Sequence, residues 1–169
     1  MKIYVINGYG GSGKTTFENM VRKHSKTKGN ITSMVEIVKH YAEQMGWEGS
    51  KEDKDRKFLS DLKDCLTEWA DIPMAYVYSR VREFEELGDG YCFIDAREEP
   101  DIQRIKKDLT EQGHKVQSIL VDNGKIREFT NHADNGVMEY KEYDITIMND
   151  KDLMALDRCA QAFCQQEDI

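Results

Sequence analysis

The segment Gly8-Tyr9-Gly10-Gly11-Ser12-Gly13-Lys14-Thr15 constrains this chain more than any other feature. It fits the pattern GxxxxGK[ST] at every fixed position, and its flanks agree. The apolar run Ile3-Tyr4-Val5-Ile6 before it suits a buried strand, and Phe17, Met20, Val21 and His24 after it fall at helical spacing. Strand, glycine loop and helix together make a cradle for phosphate. The glycines let successive backbone N–H groups turn inward, and the helix N-terminus adds a partial positive charge. On this reading Gly8, Gly10, Gly11, Ser12 and Gly13 form the cradle, and Lys14 reaches the β- and γ-phosphates of a nucleotide. Thr15 offers its hydroxyl to Mg²⁺, and Thr16 contacts the α-phosphate.

The rest of the chain alternates in the same way. Strands are expected near 30–32, at Tyr91–Ile94, at Val116–Val121 and around Ile145–Met148. Between them Ser33 and Glu36 fit a capping box, opening a helix with Met34, Val38, Ala42 and Met45 on one face. Phe58, Leu59, Leu62, Cys65, Leu66 and Trp69 mark a second amphipathic face. Pro73 and Pro100 each open a further helix, and Leu153, Leu156, Ala160 and Phe163 line the last. Strands separated by helices imply crossovers, hence a three-layer α/β sandwich with a mostly parallel five-stranded sheet and a P-loop nucleoside triphosphate hydrolase fold. At 169 residues the chain suits one domain, 1–169. Its net charge of -8 argues against a nucleic-acid polymer or an anionic membrane surface as partner. No apolar run approaches the roughly 20 residues that span a bilayer. The four cysteines form no CxxC pair, which suits reduced thiols in a cytoplasmic protein.

A phosphate loop alone does not choose among activities. The guanine-reading NKxD pattern is absent, since Asn149-Asp150-Lys151-Asp152 has the wrong spacing and suits a helix cap near Asp150. Two other clusters suggest a second site. Arg56 and Lys57 stand at the start of the 56–69 helix, with Asp61, Lys63 and Asp64 further along. Asp95 and Arg97 follow the Tyr91–Ile94 strand, and ligands in open α/β sheets sit beyond the carboxyl ends of strands. Asp95 is placed to hold Mg²⁺, and Arg97 to clamp a phosphate. Asp122 is a weaker rival for the metal, because Asn123-Gly124 reads as a turn.

Together the phosphate loop, RKFLSDLK at 56–63, FIDAREEPDI at 93–102 and the terminal strand–Asn149–helix resemble the small P-loop kinases. The resemblance is to the nucleoside monophosphate kinase-like superfamily, including deoxynucleoside monophosphate kinase-like and phosphomevalonate kinase-like proteins. It implies phosphoryl transfer from Mg-ATP to a small phosphorylated acceptor such as a (deoxy)nucleoside monophosphate. Lys14 and Arg97 would be catalytic, with Arg127 closing from a lid at about 122–142. Thr15 and Asp95 would hold Mg²⁺, and Arg56, Lys57, Asp61 and Arg97 would bind the acceptor on helices at about 47–86. A hydroxyl acceptor and a nucleotide-binding regulator without turnover are the other readings.

Overall fold

In the computed structural model, residues 1–50, 52–124 and 140–169 are described. Five strands form one sheet in the order β2-β3-β1-β4-β5: β1 (Lys2–Asn7), β2 (Gly29–Ser33), β3 (Tyr91–Asp95), β4 (Lys115–Asp122) and β5 (Ile145–Met148). Every pairing is parallel, so the sheet is wholly rather than mostly parallel. Six helices accompany it among the described residues: α1 (Lys14–His24), α2 (Glu36–Gln44), α3 (Asp53–Ala70), α4 (Ile72–Glu86), α5 (Glu99–Glu111) and α6 (Leu153–Glu167).

Side chains alternate across the strands and build two cores. On one face Ile3, Val5, Cys92 and Ile94 pack under Met74, Val77, Val81 and Phe84 of α4 and Ile102, Ile105 and Leu109 of α5. On the other, Tyr4, Ile6, Phe93, Ile119 and Val121 pack under Phe17 and Val21 of α1 and Leu156, Ala160 and Phe163 of α6. The outcome is the expected three-layer α/β sandwich. Pro73 and Pro100 lie in the first turns of α4 and α5, where a missing N–H costs nothing. Cys92 and Cys164 are buried, and all four cysteines are free.

Three local expectations are corrected. Ser33 ends β2 and does not cap α2, which begins at Glu36. The Ser33 hydroxyl instead accepts from the Val35 N–H at 3.1 Å, and the Glu36 carboxylate accepts from the Thr32 hydroxyl. The α3 helix starts at Asp53, ahead of the expected 56, and none of its residues is fully buried. Met45, Trp69 and Leu153 stand out in solvent, at 66%, 76% and 66% exposure, although each falls on an apolar face in sequence.

The topology creates a crevice. Strands β1 and β3 are neighbours, but α1 leaves β1 toward one face of the sheet and α5 leaves β3 toward the other. The loops after these strands therefore diverge, and the space between them lies at the carboxyl edge where α/β proteins place ligands.

Candidate functional site

The phosphate loop leaves β1 at Asn7, a fully buried residue. Its side-chain oxygen accepts from the Gly8 N–H at 2.7 Å. Its amide nitrogen donates to the Arg97 carbonyl at 3.1 Å and to the Tyr143 hydroxyl at 2.7 Å. One side chain thus ties the first peptide of the loop to the segment after β3 and to the approach to β5. That approach is itself held down, because Asp144 accepts from the Ser118 N–H at 2.6 Å and from the Lys106 ammonium at 2.7 Å. Sequence reasoning missed Asn7 as a site residue. Its one signal was a polar residue at the end of an otherwise apolar strand.

Two loop glycines are required by their surroundings. Gly8 has φ +150°, and a Cβ there would stand 2.5 Å from the Val121 carbonyl oxygen, a rigid strand atom. Gly13 has φ +101°, and its Cβ would stand 2.3 Å from Nδ2 of Asn149. Between them the Ser12 N–H donates to the Tyr9 carbonyl at 3.0 Å, closing a tight turn over Gly10 and Gly11. The Ser12 hydroxyl is buried with no partner among the described residues.

Helix α1 is left open at its start. Its N-cap is Gly13, no side chain caps it, and its first turn carries no acid. The first bond inside the helix runs from the Phe17 N–H to the Gly13 carbonyl at 2.9 Å. Helix geometry therefore gives the N–H groups of Lys14, Thr15 and Thr16 no acceptor within α1. In contrast, α6 is capped by Asp152, which accepts from the Ala155 N–H at 2.8 Å. This bears out a cap close to Asp150. An uncapped helix start, preceded by two constrained glycines and a buried hydroxyl without a partner, fits the phosphates of a nucleotide. The Lys14 ammonium folds over the loop and donates to the Gly8 carbonyl at 2.6 Å.

Asp95 ends β3 directly beside this loop, in register with Ile6 of β1. Burial raises its pKa above the usual carboxylate range, against the pull of Lys14, Arg97 and Lys39. A second carboxyl joins it. Glu18 lies one turn along α1 from Lys14, is 1% exposed, and has one carboxylate oxygen buried without a partner among the described residues. Burial, and then the charge of Asp95, push Glu18 up to about 8, while Lys14 and Arg22 pull it down. Glu18 was also missed in the sequence. Its i+4 spacing from Lys14 was the available signal.

Thr15 is exposed at the helix start, and with Asp95 it supplies hard oxygen donors of the kind Mg²⁺ takes. No group of three or more His, Cys, Asp or Glu side chains that could hold a metal ion occurs among the described residues. A Mg²⁺ ion carried by nucleotide phosphates and water needs only one or two protein oxygens, and Thr15 and Asp95 are of that kind.

The expected acceptor residues divide into two groups. Lys57 and Asp61 pair with one another at 2.7 Å on the solvent face of α3. Lys63 is half-buried, and its ammonium donates to Glu98 at 2.8 Å and to Asp101 at 2.9 Å, on the segment just past Arg97. Arg56 lies seven residues before Lys63, two turns along the same helix face. Arg97 is exposed two residues beyond Asp95, with its carbonyl fixed by Asn7. Asp122 accepts from the Gly124 N–H at 2.9 Å, as a turn residue does. A cavity of about 310 Å³ opens nearby, lined by Tyr9, Leu120, Asp122, Tyr140, Lys141, Tyr143 and Thr146. Arg127 and most of the expected lid lie outside the described residues.

No family model matches the sequence, and no curated protein matches it. Solved structures do. A sugar kinase from Janibacter sp. HTCC2649 superposes with a TM-score of 0.53 at 14% identity, over 98% of this chain and 95% of that one. An APS kinase from Mycobacterium tuberculosis gives 0.49 at 15% identity, over 99% and 97%. A shikimate kinase from Aquifex aeolicus gives 0.48 at 13% identity, over 100% and 99%. The likeness is one of fold, a five-stranded parallel α/β sandwich with a phosphate loop after its first strand. No helix among the described residues is long and apolar enough to cross a membrane.

Proposed function

We propose that this protein transfers a phosphoryl group from Mg-ATP to a small phosphorylated acceptor, with a (deoxy)nucleoside monophosphate as the leading class. The observation that carries the reading is the pairing of an uncapped phosphate loop with the Asp95–Arg97 strand end, set side by side by the Ile6–Asp95 register. The likeness in fold to a sugar kinase supports kinase chemistry without indicating the acceptor.

In this reading the N–H groups at the start of α1 bind the phosphates, and Lys14 leaves the loop carbonyls to follow the migrating group. Thr15 and Asp95 would hold Mg²⁺, which would offset the negative charge of the phosphates. Arg97 and Arg56 clamp the acceptor in this reading, Arg56 from the helix that Lys63 ties to the segment after Arg97. A phosphate acceptor is already a competent nucleophile, so cationic clamps and correct placement are the main requirements. Lys57 is the weaker clamp, since Asp61 already neutralises it.

An ATP-consumption screen over nucleoside monophosphates, phosphorylated metabolites and nucleosides tests the proposal. Turnover is expected with a phosphorylated acceptor, and Lys14→Ala should lower it by at least about 10²-fold, as loss of a transition-state cation does. Turnover with nucleosides or sugars alone would overturn the acceptor assignment. Full activity in the Lys14 variant would overturn the role of the loop.

A further inference from the structure

Asn149 follows β5 and reaches across to the phosphate loop. Its main-chain N–H donates to the Asp122 carbonyl at 2.6 Å, which pins it at the carboxyl edge of the sheet. Its side-chain Nδ2 donates to the Ser12 carbonyl at 2.7 Å. We propose that Asn149 is a positioning residue that aims the Gly13 amide at the nucleotide phosphates. The inference rests on the reading of this loop as a nucleotide site.

The argument is one of peptide geometry. In a trans peptide the C=O and the following N–H point to opposite sides, and there is no cis bond among the described residues. Holding the Ser12 carbonyl outward on Asn149 therefore turns the Gly13 N–H the other way, into the loop. The Ser12–Gly13 peptide is otherwise easy to rotate, since a glycine follows it and crosses between φ regions at little cost. Pinning comes from the edge of the sheet, so the amide is oriented by a rigid element before any ligand arrives. The same contact accounts for glycine at 13, because any Cβ there would press on the Asn149 amide. The residue that in sequence marked a mis-spaced NDKD segment and the terminal strand–helix junction is thus a brace for the cradle.

The test is titration of Mg-ATP and of tripolyphosphate into the wild type, Asn149→Ala and Asn149→Asp, followed by calorimetry. Asn149→Ala removes the donor, and Asn149→Asp sets a carboxylate against the Ser12 carbonyl at nearly the same shape. Affinity is expected to fall about tenfold in the first and further in the second, the scale of one lost hydrogen bond. The factor should be the same for ATP and tripolyphosphate, because the effect is on phosphate binding, and stoichiometry should stay at one per chain. A merely structural role would lower the stoichiometry or the melting temperature and leave the affinity of the folded fraction alone. Unchanged affinity in both variants overturns the proposal. Should a variant melt below the assay temperature, the Gly13 amide resonance of the wild type decides. A large shift on adding tripolyphosphate supports the proposal, and no shift overturns it. Failure of the wild type to bind either ligand refutes the nucleotide reading itself and is recognisable as such.

Discussion

At the residue scale, Glu18 is the most unusual side chain of the site. It is buried beside Asp95 from β3 and beside Lys14 and Arg22 from its own helix, and burial raises its pKa to about 8. A carboxyl whose folded pKa lies above its unfolded value binds its proton more tightly when folded. Stability is then fully present below the unfolded pKa and falls as pH rises toward the folded one. Glu18→Gln, neutral at every pH, should match the wild type in melting temperature at about pH 4. At pH 9 it should exceed it by several degrees. A thermal scan at the two pH values checks this, and parallel curves would refute it. Glycines 8 and 13 were legible in sequence because the motif names them. Asn7, Glu18 and Asn149 were not, since each acts through a partner distant in the chain.

At the element scale, the informative helix is α3. Its apolar residues repeat at helical spacing, yet none is fully buried, and Trp69 stands in solvent. Periodicity reveals that a helix has a face, not whether anything covers it. The capping-box expectation at Ser33 failed for a related reason. The local pattern was present, but strand pairing of Ser33 with Asp95 claimed that residue for β2. Lys63 ties α3 to the start of α5. Burial disfavours its charge, but Asp101 and Glu98 outweigh this and hold its pKa above the ordinary lysine value. Lys63→Met should destabilise the fold by about 1–3 kcal/mol, because it leaves two partly buried carboxylates unpaired. If α3 presents Arg56 to the acceptor, the same variant should raise the acceptor KM several-fold and leave ATP affinity unchanged. Steady-state kinetics with each substrate varied separates these outcomes.

For the whole molecule, the two cores differ in character. The face under α1 and α6 is aromatic, with Phe93 at its centre, its ring 5.4 Å from Tyr4, 5.8 Å from Tyr91 and 6.3 Å from both Phe17 and Phe163. Phe93→Ala should cost about 3–5 kcal/mol, since the four rings packed around it cannot collapse into the gap. Trp69→Ala, a larger deletion at an exposed position, should stay within about 0.5 kcal/mol. Urea unfolding midpoints test the pair, and equal effects would show that α3 is covered in solution. The phosphate loop rests on this aromatic core through α1, so its placement depends on the packing of the whole face.

The sequence by itself determined the phosphate loop, the alternation of strands with helices and the prolines that open α4 and α5. Each is a short-range pattern whose meaning lies in φ/ψ limits or in helical and strand periods. Only the tertiary structure decided that β3 pairs with β1, that Asp95 and Glu18 share a buried space, and that Asn149 holds the Ser12 carbonyl. These contacts join residues from about 77 to 137 positions apart in the chain. No local period encodes such pairings, because they arise from which faces bury together when the sheet assembles.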